Sequence, residues 1–380
     1  MIKKVIFMGI LFILVCNVTS PFSFTSQKEI NHITKNHIII KIALLDSLIP
    51  SFTSPTEMEE ILNKYSWEFD GISYEFKTQW VTDSQVAGGI LRKENFDVLV
   101  IPGIGKEFRR PMDDKWKKEI RNFVANGGGY FGTCGGANLA SLGLINAKQR
   151  GWKKETIWEY FMNKSAIGIA PVKAYQDMGD PIACSIIYKN PSRIGQSAYI
   201  WYNLSIEGCG VCQHCRINKN HPIFYGCEND TRIIRWVGGP ALLPVGNVTI
   251  LAWYPSQNIS GINGNESTSI HAWRYVGQDF NHPLDFWDMD DIIETHLAGK
   301  PAAIACNYGK GRVVIFGNHP EHPVWKGGRI VEEDTNKNHM LLKGLFRWED
   351  RKMMPFSYNW WIVRRSVAWV AGIERLPPFE

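Results

Sequence analysis

The chain has 380 residues, 44% of them hydrophobic and 12% aromatic, and 42 Lys+Arg against 37 Asp+Glu leave a net charge of +5. That is ample apolar material for one large domain or two ordinary ones, which excludes wholesale disorder. No basic block is longer than pairs such as Arg109-Arg110, Lys117-Lys118 or Arg364-Arg365, so nothing predicts electrostatic capture of nucleic acid.

The N-terminus begins Met1-Ile2-Lys3-Lys4, continues through an apolar run from Val5 to Cys16 and leaves through a polar stretch with prolines. A cationic end, a short apolar core and a polar exit predict a secretory signal over residues 1–26. The run is shorter than the roughly 20 residues a membrane span needs. The chain is therefore expected to be secreted or extracytoplasmic, with tethering by an uncleaved N-terminal segment as the alternative and no other membrane span. Asn-x-Ser/Thr triplets at Asn163, Asn203, Asn229, Asn247, Asn258 and Asn265 fit a glycoprotein. Beyond Cys16 lie Cys134, Cys184, Cys209, Cys212, Cys215, Cys227 and Cys306, an odd number. One thiol should stay unpaired, and the others could form disulfides in an oxidising compartment.

Along the chain, Ile38 to Asp46 is a β-branched apolar run ending in an acid, the pattern of a buried parallel strand. Ser54-Pro55-Thr56-Glu57 caps a helix to about Tyr65. Tyr74 to Val81 alternates like a strand, and Phe96 to Ile101 reads as a buried one, stopped by Pro102-Gly103-Ile104-Gly105. Apolar residues at Trp116, Ile120, Phe123 and Val124 predict a helix over Lys115 to Asn126, ended by Gly127-Gly128-Gly129. Tyr130-Phe131-Gly132 enters a short strand and Ala137 to Leu142 reads as the next helix. From about 151 to 300 the pattern changes to short strand-like runs, clearest at Ile182 to Tyr188, Ile233 to Val237, Val248 to Tyr254 and Ala302 to Cys306. Gly311 to Gly317 then resumes the α/β alternation, and a last helix is expected around Asn338 to Trp348. This order predicts an α/β domain over 38–350, mostly parallel and doubly wound, with a β-rich, Cys-containing insertion and a tail over 351–380.

The densest chemical signal is Gly129-Tyr130-Phe131-Gly132-Thr133-Cys134-Gly135-Gly136-Ala137. A nucleophile on a sharp strand-to-helix turn needs minimal side chains two positions before and after it, and Gly132 and Gly136 meet that demand around Cys134. The second signal, Asn318-His319-Pro320-Glu321-His322, follows a predicted strand. A cysteine nucleophile needs a base, and an imidazole base needs a carboxylate to fix its tautomer; His319 and Glu321 supply both. His322, beside Glu321, either assists or shapes the turn.

With Val98 to Gly103, Gly238-Gly239-Pro240 and Gly311 to Glu321, these motifs make the chain similar to the class I glutamine amidotransferase-like superfamily. Within it, the nearest resemblance is to the group like the N-terminal domain of biotin-protein ligases. The resemblance implies a flavodoxin-like sheet, Cys134 as nucleophile, His319 as base, Glu321 as orienting acid, and oxyanion donors on the backbone at Gly103, Ile104 and Gly135. It departs from the amidotransferase pattern where Ile104 replaces a second glycine after Pro102-Gly103. No Gly-x4-Gly-Lys-Ser/Thr loop is present for ATP. The expected activity is thus hydrolysis of an amide in a small-molecule or peptide substrate without a cofactor, and the alternative is a non-catalytic binding or envelope module on the same scaffold.

Cys209, Cys212 and Cys215, with Cys227 twelve residues on, form the other constellation. Such spacing holds zinc or an iron-sulfur cluster when the thiolates converge, and oxidises to disulfides in an exported chain, the favoured reading here. The acidic run Asp288 to Asp291 reads as a solvated helix start rather than a cation site.

Overall fold

Continuous apolar strands build the parallel half of a ten-stranded mixed sheet, and the antiparallel half grows from its far side. In the computed structural model the described residues are 36–46, 54–103, 113–145, 157–175, 211–256, 269–275, 287–294, 297–327, 329–332 and 346–379. The predicted signal, Ile104, Cys184, Cys209 and the run Ile182 to Tyr188 lie outside them.

The first half of the chain runs β1 (Asn36–Leu45), α1 (Ser54–Leu62), β2 (Ser66–Phe69), β3 (Ile72–Val81), α2 (Asp83–Ala87), α3 (Ile90–Lys93), β4 (Val98–Ile101), α4 (Asp114–Ala125), β5 (Gly129–Thr133) and α5 (Gly135–Ala140). The middle contributes α6 (Ile157–Ser165), β6 (Val172–Tyr175), β7 (Val211–Ile217), β8 (Thr231–Trp236), β9 (Ala241–Pro244), β10 (Thr249–Trp253), β11 (Ser269–Tyr275) and β12 (Trp287–Glu294). There follow β13 (Pro301–Tyr308), β14 (Gly311–Phe316), β15 (Trp325–Lys326), β16 (Arg329–Glu332), β17 (Phe346–Glu349), β18 (Lys352–Met353) and, after a 3-10 turn, α7 (Trp360–Val370).

The sheet order is β2-β3-β1-β4-β5-β14-β13-β10-β7-β8. Strands β3, β1, β4, β5 and β14 are mutually parallel, whereas β2 and the run from β13 to β8 pair antiparallel. Because parallel strands are covered on both faces, their side chains alternate between two apolar layers. Ile42, Leu44, Val98, Val100, Phe131, Val314 and Phe316 face one layer with Met58 and Ile61 of α1 and Trp361 and Val367 of α7. Ala43, Leu99, Ile101, Tyr130, Val313 and Ile315 face the other with Trp116, Ile120 and Val124 of α4. The helical spacing of those α4 residues comes from one buried stripe, and each fully buried side chain of this size contributes about 2–3 kcal/mol.

Strand β2 escapes a purely hydrophobic reading because its signal lies in its turn. Asp70 and Gly71 both take positive φ, 49° and 75°, the conformation that a two-residue hairpin loop requires. Three other expectations need correction. Phe346–Glu349 is strand β17, paired with β16, where the end of a helix was expected; residues 333–345 lie outside the described set. The acidic run lies within strand β12, paired with β11, and does not start a helix. Residues 351–379, set apart by sequence as a tail, carry α7, which packs on β5 and β14.

The arginine pair that interrupts the apolar run of α7 is buried rather than solvated. Arg364 Nε donates to Ile61 O (3.0 Å), and its guanidinium lies over the Tyr65 ring. Arg365 donates to Ile223 O, Pro377 O and Pro222 O, at 2.6, 2.7 and 2.7 Å. A carbonyl of the last turn of α1 and the loop carbonyls of Pro222, Ile223 and Pro377 thereby gain partners, and the arginines become part of the core. The insertion likewise is no separate layer, since β7, β8 and β10 extend the main sheet.

Candidate active site

Parallel strands share one C-terminal edge, and the loops leaving it converge there. Chain following β4 brings Gly103, chain following β5 brings Cys134, and chain following β14 brings Asn318, His319, Glu321 and His322. Helix α1, which follows β1, presents Ser54 and Glu57 from its first turn at the same edge.

Cys134 stands between β5 and α5 with φ 49° and ψ −105°, far from the ordinary regions for an L residue. Three constraints hold it there. Its N–H donates to Phe316 O (2.8 Å), so β14 fixes the elbow from one side. A Cβ on Gly136 would fall on the Ile101 carbonyl oxygen, and one on Gly132 would lie 2.9 Å from the Gly136 carbonyl carbon. Tyr130 donates its hydroxyl to Gly136 O at 2.7 Å from below. The glycine spacing is thus a requirement of close backbone approach.

His319 is buried, and its Nδ1 lies 2.8 Å from Glu321 Oε1. An ionised carboxylate only accepts, so Nδ1 carries hydrogen and Nε2 is left for the sulfur. Cys134 is the other side-chain hydrogen-bond partner of this imidazole. The His319 backbone N–H donates to Arg235 O (2.8 Å), tying the histidine loop to β8. A Cβ on Gly103 would lie 2.8 Å from His319 Cε1 and 3.4 Å from Cys134 Cβ, so both groups press on the same glycine. A Cβ on Gly239 would reach Cys134 Cα at 3.4 Å, which places the Gly238-Gly239-Pro240 turn against the elbow as well.

Glu321 is held from three directions. Its Oε1 accepts from Ser54 Oγ (2.6 Å), from Thr133 Oγ1 (2.8 Å) and from His319, while Oε2 is buried with no hydrogen-bond partner. Burial by itself raises a carboxyl pKa, but the His319 charge and these hydrogen bonds override it and bring Glu321 down to about 2. For His319, burial opposes charge; the Glu321 carboxylate and then Cys134 overcome it and raise the ring to about 10. The pair is held as carboxylate and imidazolium.

A second carboxyl–imidazole pair lies directly behind. His322 stacks on His319 with ring centroids 4.3 Å apart and planes 10° from parallel, and its Nδ1 makes a short contact with Glu57 Oε2. Burial, then the Glu321 charge, raises Glu57 to about 8, while Arg235 and His319 pull the other way. Burial, then the His319 charge, drives His322 well below its ordinary value. Neutral Glu57 and neutral His322 therefore sit beside charged Glu321 and His319.

Donor atoms of His319, Glu321 and His322 lie within 4.8 Å of one another, close enough for a divalent ion. Nδ1 of each histidine is engaged by a carboxyl group, which is the arrangement of acid–base chemistry.

The sequence singled out Cys134, His319 and Glu321, and the fold brings them together with Gly103, Gly132, Gly135 and Gly136 at one edge; Ile104 lies outside the described residues. Ser54, Glu57, Thr133 and Arg235 were not recognised as site residues. The usable signal for Ser54 and Glu57 was their place in the first turn of the helix after β1, which an α/β sheet delivers to its C-terminal edge.

The cysteine cluster does not assemble among the described residues. Cys212, Cys215 and Cys227 are free thiols, so the expected disulfides are not formed among them; Cys209 lies outside the described set. Cys212 and Cys215 are three apart on β7, and a strand of period two sends them to opposite faces. The Cys212 sulfur accepts from Trp325 N–H and the Cys215 sulfur from Asn318 Nδ2, each at 3.3 Å. Burial pushes both thiols up to about 12, which opposes thiolate ligation.

No protein-family model matches the chain, and no curated protein matches it significantly. Solved structures similar to it include a candidate GMP synthase component from Thermoplasma acidophilum, at 10% identity over 89% of this chain and 96% of that one, with a TM-score of 0.38. A candidate ThuA-like protein from Parabacteroides merdae aligns at 12% identity over 89% and 92%, with a TM-score of 0.40. Another, from Bacteroides uniformis, aligns at 10% over 77% and 86%, with a TM-score of 0.35. At these identities and scores the likenesses say nothing about activity, and the chemistry must be read from the site.

Proposed function

We propose that the protein is a cysteine-dependent hydrolase of amide bonds, with Cys134 as nucleophile, His319 as general base and acid, and Glu321 as orienting carboxylate. The observation that carries this reading is the strained Cys134 backbone placed so that its side chain meets His319, whose other nitrogen is fixed by Glu321. A strained backbone at a strand end needs compensation elsewhere, and here it aims a thiol at an imidazole.

In the proposed cycle, the Cys134 proton already rests on His319 Nε2, and the sulfur bonds to the substrate carbonyl carbon. The tetrahedral oxyanion is met by backbone N–H groups at Gly103 and Gly135. Collapse breaks the C–N bond, His319 gives its proton to the leaving amine, and a thioester stays on Cys134. Water, deprotonated by the now neutral His319, then adds to the thioester carbonyl, and the C–S bond breaks to return the sulfur as thiolate beside the protonated imidazole. Glu321 remains ionised throughout.

The parallel strand order, with β1 between β3 and β4, supports a flavodoxin-like assignment, and the motifs support placing the chain beside the biotin-protein ligase N-terminal group. Export is part of the same reading, supported by the signal-like N-terminus and by exposed sequon residues Asn229 and Asn247. The test is intact-protein mass spectrometry after exposure to a panel of carboxamides and N-acyl amino acids. An acyl adduct mapped to Cys134 and absent in Cys134→Ala supports hydrolysis. Lack of both adduct and amine release across the panel, from protein whose Cys134 does not react with a haloacetamide any faster than in His319→Ala, overturns it.

A further inference from the structure

Beside the reacting pair, the fold gathers three buried side chains, Ser54, Arg235 and His322, and the half-buried Glu57, none of which reacts in the proposed cycle. Glu57 reaches in from α1, His322 reaches back from the histidine loop, and the two meet in a short contact. The His322 ring then lies flat on His319, 4.3 Å away and 10° from parallel. Ser54, one turn ahead of Glu57 on the same helix, hydrogen-bonds Glu321, so one helical turn touches both carboxyl–imidazole pairs. Arg235, fully buried on β8, completes the set of charged groups near His322 and accepts the His319 N–H on its carbonyl.

A stack of two imidazoles is stable when only one carries charge, since two cations at that spacing repel inside a buried site. The arrangement therefore requires a neutral His322 under a charged His319. The groups facing His322 are Glu57 from α1, Glu321 and His319 from its own loop, and Arg235 from β8. His319 and Arg235 oppose a proton on His322, Glu321 favours one, and Glu57 supplies a hydrogen-bond partner that lets the ring stay neutral.

From this geometry we infer that His322, clamped by Glu57, is a positioning residue whose ring forms the platform that holds the His319 imidazole in the plane facing Cys134. The inference rests on the reading of Cys134 and His319 as nucleophile and base. With Nδ1 pinned by Glu321 and Cε1 against Gly103, His319 retains one motion, a tilt out of its plane, and the His322 face blocks it. Glu57 does the same for His322. The helix bearing Glu57 thus sets the base without touching the thiol or the substrate.

The test is the rate of Cys134 alkylation by iodoacetamide, read peptide by peptide in the full chain, with thermal melting of each variant in parallel. His322→Ala, which removes the platform, is expected to slow Cys134 by about tenfold or more, as small misplacements of a reacting group do. His322→Phe keeps a flat ring and is expected to recover most of that rate. Glu57→Gln retains a hydrogen-bonding partner and is expected to keep at least half the wild-type rate, whereas Glu57→Leu loses it. Labelling in His322→Ala equal to wild type, or His322→Phe no faster than His322→Ala in proteins that melt alike, overturns the platform role. If His322→Ala does not fold, the Glu57→Gln and Glu57→Leu pair decides: equal rates overturn the inference and a slower Leu variant supports it. His319→Ala separates the two levels, because wild-type labelling in that variant removes the base itself, while slow labelling there with normal rates in the His322 and Glu57 variants removes only the platform.

Discussion

Gly103→Ala is the sharpest single-atom perturbation of this site. The added methyl would sit 2.8 Å from His319 Cε1, when carbon pairs rest at about 3.5–4.0 Å, so the ring must retreat by about 1 Å. It has little room to do so: Nδ1 is hydrogen-bonded to Glu321, the backbone N–H to Arg235 O, and one face is covered by His322. The methyl also touches Cys134 Cβ at 3.4 Å, which blocks escape toward the sulfur. Overpacking a tight site costs about 1–3 kcal/mol. Displacing a base by this much slows proton sharing by about tenfold to a hundredfold. The assay pairs Cys134 alkylation with a thermal melt, and the expected result is a melt lowered by a few degrees with a larger proportional loss of labelling. A Gly103→Ala protein with both the wild-type melt and the wild-type labelling rate would refute the packing of this loop onto the pair.

Other outcomes follow from the same contacts. Glu321 has a folded pKa lowered to about 2, so its contribution to stability is present above 4.5 and is lost as pH falls through 2; Glu321→Gln should flatten that acid limb of the melting curve. Glu57 is raised to about 8, so its contribution is complete below 4.5 and is lost as pH climbs through 8; Glu57→Gln should make stability decline less over that window, and an unchanged slope would contradict a protonated Glu57. Replacing Arg365 by Met strands the Ile223, Pro222 and Pro377 carbonyls and should cost about 3–5 kcal/mol in urea denaturation. Cys215 and Cys306, buried and pushed up to about 12, should alkylate only after unfolding, which mass mapping with and without denaturant would show.

The parallel half of the sheet was legible because its strands are buried on both faces and read as unbroken apolar runs, as in Val98 to Ile101 and Val313 to Phe316. The elbow was legible because close backbone approach leaves only glycine at Gly132 and Gly136. What escaped depends on partners far along the chain. Strand β2 has only Trp67 buried among its four residues, so no apolar run marks it and the Asp70-Gly71 turn was its one cue. Arg364 and Arg365 look like solvated breakers until the helix-end and loop carbonyls they satisfy are in place. Glu57 reads as a capping-box residue, and its contact with His322, 265 positions away, is set by tertiary packing. The Cys-x2-Cys spacing suggested convergence, but in a strand the same spacing sends the two sulfurs apart.

The most direct measurement is the Cys134 alkylation rate in the native wild-type protein beside His319→Ala, resolved at the Cys134 peptide. Proton sharing between the two side chains predicts rapid wild-type labelling that collapses by tenfold or more when the imidazole is removed, with Cys212 and Cys227 unaffected. Equal rates in two equally stable proteins would contradict it.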